Sequence, residues 1–142
     1  MNMSNRIMAL DIGKKKIGVA ISDPLGISAN PWGYIEATGK KKIIEKISGL
    51  LSDYNVKNIV VGVPKNMDGS VGSQAQYCMD LANDIKKVLG VEITFVDERL
   101  TSREVDRLLI DAGVSRQKRK DVNDKLAASI ILQNFLQSRN KL

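Results

Sequence analysis

The 142-residue chain contains no histidine and a single cysteine, Cys78. Without histidine there is no imidazole base, no Ser-His-Asp triad and no Cys-His nucleophile pair. One thiol cannot close a disulfide within the chain, and a tetrahedral zinc site needs several Cys or His ligands. A chain without disulfides suits a reducing compartment, so a cytoplasmic location is expected. No apolar run approaches the roughly 20 residues of a membrane span, and the N-terminus lacks the apolar core of a signal peptide. No membrane partner is therefore expected. What remains for chemistry is carboxylates, hydroxyls, lysines and any ion the carboxylates hold. Hard oxygen ligands favour Mg²⁺ or Mn²⁺.

The length and an apolar fraction of 43% fit one folded domain spanning residues 1–142, with a proper core. The net charge of +6 favours polyanionic partners, although charge alone selects none.

The most informative stretch runs from Arg6 to Asp23. Arg6–Asp11 is a nearly unbroken apolar run, as in a strand buried on both faces, and it ends in a carboxylate followed by Gly13. A charge closing a core strand has to be paired, ligated or turned to the surface. Lys14, Lys15 and Lys16 place positive charge beside it. A metal or phosphate site is the sharper reading, and a hairpin whose acid pairs with a neighbouring lysine is the plainer one.

Beyond this stretch, Asp23-Pro24-Leu25-Gly26 reads as a turn and Ser28–Pro31 as loop, because proline lacks a ladder donor. Trp32–Ala37 predicts a third strand, in an antiparallel meander. Ile43, Ile44, Ile47, Leu50, Leu51 and Tyr54 share one helical face, predicting a helix over Lys40–Tyr54. Asn58–Val63 has the β-branched character of a central parallel strand, and Lys65–Gly72 that of a polar loop. A helix from Gln74 or Ala75 to Leu89 and a strand over Glu92–Val96 follow. Thr101-Ser102-Arg103-Glu104 has capping-box spacing for a helix ending at Ala112-Gly113. Arg116–Lys120 then reads as a basic loop, and the last helix is predicted from near Asn123 to about Arg139. The pattern predicts an α/β fold with a mixed sheet and ligand sites at the carboxyl ends of its parallel strands.

Three acids stand where such a site would lie: Asp11, Glu98 and Asp124. Asp124 shares a helical stripe with Ala127, Ala128, Ile131 and Phe135, which turns it inward. The plainer reading is a first-turn acid that caps the helix or complements its dipole. Glu98 could instead pair with Arg99 or Arg103, and Asp97 competes with it for the inward position, with Glu98 the expected inward acid. Carboxylates from three separate elements can hold one or two divalent ions about 4 Å apart, a pair suited to phosphodiester cleavage without histidine.

Six pieces in order carry a family resemblance: Leu10–Gly13 with Ile17–Ala20, Ser22–Gly26, Val61–Pro64, Asn66–Ser70, Asp97–Thr101, and Asp124 with Ala127-Ala128. Through them the chain closely resembles the YqgF (RuvX) family, related to RuvC. The resemblance implies an RNase H-like fold, with a five-stranded mixed sheet flanked by helices. It also implies a Mg²⁺- or Mn²⁺-dependent nuclease whose catalytic, metal-holding acids match Asp11, Glu98 and Asp124. The implied role is maturation of the 5′ end of pre-16S rRNA; Holliday-junction resolution and RNA binding without cleavage are the alternatives. Two departures from the family pattern are Asn123 before the aspartate and Ser102 in place of a second threonine. The expected partner is structured RNA, with branched DNA as the alternative, gripped by Lys14, Lys15, Arg99, Arg116, Lys118, Arg119 and Lys120. A monomer or weak homodimer is expected, and a stable symmetric dimer would favour the junction.

Overall fold

The apolar run that opens the chain forms the middle of a five-stranded sheet. In a computed structural model, which describes residues 6–98 and 107–140 (backbone alone for helical residues 121–125 and 140), this run is β1, Ile7–Ile12. It pairs antiparallel with β2, Lys16–Ser22, and parallel with β4, Asn58–Val63. Strands β3, Ala29–Glu36, and β5, Glu92–Asp97, complete the sheet in the order β3-β2-β1-β4-β5. Helices α1, Lys40–Tyr54, and α2, Ser73–Leu89, pack on one face; the other is covered by α3, Arg116–Asn140. Among the described residues no helix is long and apolar enough to cross a membrane.

Side-chain alternation along β1 divides the core. Met8, Leu10 and Ile12 join Ile43, Ile47, Cys78, Leu81 and Ile85 beneath α1 and α2. Ile7 and Ala9 join Ala20, Val60, Ala128, Ile131, Leu132 and Leu136 beneath α3. The alanines on both sides of this second layer let α3 lie close to the sheet. Asp11, two residues beyond Ala9, therefore belongs to the α3 face.

Strand β3 begins earlier than proline suggested. The segment Ser28–Pro31 was expected to be loop, but pairing with β2 starts at Ala29, and Pro31 stands opposite Ala20. Edge strands tolerate a missing donor. Val19 pairs with Gly33 while Ala20 pairs with Pro31, so Trp32 is the extra residue of a bulge, and Gly33 takes a φ of +142° that suits glycine.

The largest departure is at α3. Arg116–Lys120, expected as a loop, is its first stretch, and the helix starts seven residues before Asn123. Ser115 caps it: the Lys118 amide donates to Ser115 Oγ at 3.2 Å and the Arg119 amide to Ser115 O at 2.9 Å. Arginine, glutamine and lysine are good helix formers, but a stretch with no apolar residue shows no stripe by which a helix is read. Asn123 is consequently not a cap, and Asp124 lies past the second turn, outside the reach of a first-turn dipole effect. Of the helix expected after Thr101, residues 107–111 are helical; the capping box Thr101–Glu104 lies outside the described residues.

Candidate functional site

The site is built on one row of residues across the sheet. Asp11 on β1 stands opposite Gly18 on β2, and Gly18 stands opposite Tyr34 on β3. On the other side, Asp11 is one residue beyond the Leu10–Val61 pair, which brings it alongside Gly62 of β4. Glycines thus flank the acid on both neighbouring strands. A Cβ at Gly18 would stand 3.5 Å from Asp11 Cβ, 3.7 Å from Ala128 Cβ and 3.8 Å from Tyr34 Cε1. One at Gly62 would collide with Glu98 Oε1 and come within 2.6 Å of Ile131 Cδ1. The glycine is what lets Glu98 fold down onto the sheet beneath α3.

Glu98 follows β5 directly and shares the α3 face with Val96. Asp97, its rival for the inward position, is turned to the opposite face by strand alternation. The half-buried Glu98 hydrogen-bonds Asp11 through their side chains and is held far above the ordinary carboxylate value, at about 8. Burial is the first cause, the Asp11 charge the second, and Asp97 adds to them. The protonated Glu98 carboxyl donates, and Asp11 accepts. Two carboxyls holding one proton are a strongly coupled pair.

Cys78 registers the same charge from beneath. Its thiol is pushed up to about 11 by burial first, then by Glu98 and Asp11. Cys78 Sγ donates to Ile12 O at 3.5 Å, and Gln74 Nε2 donates to the same carbonyl at 3.1 Å, fixing the end of β1 just past Asp11. A thiol held so strongly protonated is no nucleophile.

Asp124 belongs to α3, four residues before Ala128 and seven before Ile131, both buried over the site; its side chain lies outside those described. Lys14 and Lys15 are exposed in the β1–β2 turn, three and four residues past Asp11. Arg116, Lys118 and Lys120 are exposed on the first turns of α3, whereas Arg119 is half-buried and donates to Val114 O at 3.0 Å. Arg99 lies outside the described residues. Among the described residues no group of three or more acids or cysteines stands close enough to hold a metal ion; the described acids brought together are Asp11 and Glu98. The roles of Gly18 and Gly62 as spacers had a sequence signal in glycine inside a strand pattern, but strand register was needed to assign them.

A mixed sheet of this order, with an acid on its central strand and a helix across that face, is the RNase H-like fold. Its likeness to Thermus thermophilus RuvC in complex with a Holliday junction substrate has a TM-score of 0.55 at 11% identity, covering 94% of each chain, and bears on fold alone. The sequence itself is closer to other proteins. Residues 5–138 match the model of the RuvX family, described as Holliday junction resolvase. A Halothermothrix orenii protein named "Putative pre-16S rRNA nuclease" is 49% identical over 137 residues, covering 96% of this chain and 98% of its own. One of the same name from Bacillus cytotoxicus is 44% identical over 136 residues, covering 94% and 99%. The chain belongs to the RuvX family.

Proposed function

We propose that this protein is a divalent-metal-dependent endonuclease that matures the 5′ end of pre-16S rRNA, with Asp11, Glu98 and Asp124 as its catalytic acids. The observation that carries the reading is the coupled Asp11–Glu98 pair at the carboxyl end of the central strands, framed by two glycines. The relatives named as pre-16S rRNA nucleases supply the substrate, since the fold it shares with a resolvase does not choose between RNA and DNA.

The donor set fits a hard cation. Two carboxyls forced together share a proton, and a Mg²⁺ or Mn²⁺ ion relieves the same repulsion while taking hard oxygen ligands. Asp11 and Glu98 would hold it, joined by Asp124. When bound, such an ion polarises the phosphodiester and makes an attacking hydroxide available near neutral pH. The protein's own part is to orient the acids and position the strand. Asp11 is fixed by its strand, and Glu98 is held against it and gives up its proton on loading. Lys14, Lys15 and the exposed cations of α3 hold the phosphate backbone, and Arg99 is the further contact expected there.

Side-by-side incubation of a pre-16S rRNA fragment and a four-way DNA junction, with Mg²⁺, with Mn²⁺ and with chelator, tests this. Metal-dependent cleavage at the 5′ leader with the junction intact is expected. Cleavage of the junction alone would reassign the protein as a resolvase, and binding without cleavage of either would make it a binding module.

A further inference from the structure

Tyr34 lies at the end of the row that begins at Asp11, with no side chain between them. The intervening residue is Gly18, and the Tyr34 ring leans over it toward the acid: Tyr34 Cε1, Asp11 Cβ and Ala128 Cβ all close on the place its side chain would take, at 3.8, 3.5 and 3.7 Å. Adjacent strands are about 4.8 Å apart, so the backbones at Tyr34 and Asp11 stand about 10 Å apart, and the lean of the ring over Gly18 brings it closer to the acid than that. The residue sits on the edge strand of the sheet and is 40% exposed, which leaves its ring reachable from the open side. Lys16, diagonal to it on β2, holds its Nζ 4.2 Å from the ring centroid. An aromatic ring, a cation and a carboxylate site therefore share one face within one strand repeat.

We propose that Tyr34 is a stacking platform for an unpaired base of the RNA, next to the cleavage site, with Lys16 contacting the adjoining phosphate. The proposal rests on the nuclease reading for its ligand. Every base has a π-face, so such a contact is tolerant of sequence and sets where along an unpaired strand the enzyme engages. Single-stranded segments are also where RNA-recognising domains commonly use aromatic rings. Lys16 already caps the ring in the free protein, and an arriving base and phosphate would take over ring and ammonium together.

Binding by the full chain of an RNA with a short unpaired segment next to a duplex that fixes its register tests the proposal, in an Asp11→Asn background that keeps the probe intact. Tyr34→Leu should weaken binding about 5- to 100-fold at every salt concentration, while Tyr34→Phe should bind as the parent does. Lys16→Gln should lower the slope of log affinity against log salt by about 0.7, and Tyr34→Leu should leave that slope unchanged. In a series of RNAs each lacking one base, a single abasic position should weaken the parent to the level of Tyr34→Leu and leave Tyr34→Leu itself unaffected. Melting temperatures of Tyr34→Leu and of Tyr34→Val, a good strand former, separate a folding defect from a binding one. Unweakened binding by Tyr34→Leu, or a penalty that no abasic position reproduces, would overturn the proposal. Failure of the nuclease reading looks different: the wild-type chain would leave pre-16S rRNA uncut while the abasic signature persisted.

Discussion

The carboxyl of Glu98 meets that of Asp11 across Gly62, although β4 separates their strands in the sheet. A residue on the intervening strand would ordinarily put a side chain between them. Its absence brings two acids into one hydrogen bond and makes Glu98 hold a proton that a free carboxyl would have lost. Sites of function commonly hold such locally unfavourable arrangements.

Gly62→Ala should break this arrangement. The new methyl would meet Glu98 Cδ at 2.8 Å and Ile131 Cδ1 at 2.6 Å, so both must move. Overpacking of this kind costs about 1–3 kcal/mol, and Glu98 should be displaced from Asp11 with loss of cleavage. Gly18→Ala is the control for stability: its methyl would find contacts of 3.5–3.8 Å, and the fold should be unchanged or gain up to about 1 kcal/mol. Thermal melts and cleavage rates of the two variants check this. A Gly62→Ala protein as stable and as active as the parent would contradict the close approach.

The proton between the acids predicts a pH dependence. Glu98 is raised from its ordinary 4.5 to about 8, so over that interval the folded protein holds a proton that the unfolded chain has lost. The stability linked to it is full below pH 4.5 and is lost as pH rises through 8. Glu98→Gln should therefore gain stability over the metal-free parent as pH rises, reaching about 1–2 kcal/mol, a few degrees of melting temperature, above about pH 8. Metal binding must displace the same proton, so Mn²⁺ affinity of the wild type should climb by up to about tenfold per pH unit across the interval. Melts and Mn²⁺ titrations at a series of pH values read both effects. A flat profile for both would remove the coupled pair from the account.

Helical structure at Arg116–Lys120 alters what the basic segment can do. Its exposed cations stand on the first turns of α3, the helix that further along carries Ala128 over the Asp11 side of the sheet. Neutralising Arg116, Lys118 and Lys120 together should weaken RNA binding and reduce the salt slope by about 2, at about 0.7 per phosphate contact. Arg119, which bonds Val114 O, is left intact to preserve the start of the helix. An unchanged slope would move the phosphate track elsewhere on the molecule.

How legible each part was depended on where its information lay. The β1, β2 and β4 arrangement follows from three apolar runs, and Lys40–Tyr54 was readable to the residue because its stripe faces a layer it covers. Helix α3 was cut short because its first stretch has no apolar residue to mark a face, and Ser115 as a cap was the overlooked signal. Pro31 hid the start of β3 because a missing donor matters little at an edge. Asp11 and Glu98 could be picked out as acids at strand ends, and the choice of Glu98 over Asp97 agrees with its contact to Asp11. The glycine frame and Tyr34 could not, since their meaning lies in register across strands far apart in sequence.

Single-turnover cleavage of a pre-16S rRNA 5′ leader in Mg²⁺, with wild type and Asp11→Asn from matched preparations and melting temperatures taken on both, tests the central claim most directly. The predicted result is that Asp11→Asn loses at least about 10²-fold in rate, in keeping with loss of a group that positions the reacting centre, while melting at or above the wild-type temperature and still binding the RNA. An Asp11→Asn protein that cuts at the wild-type rate, or one that cuts normally per folded molecule but melts lower, would contradict it.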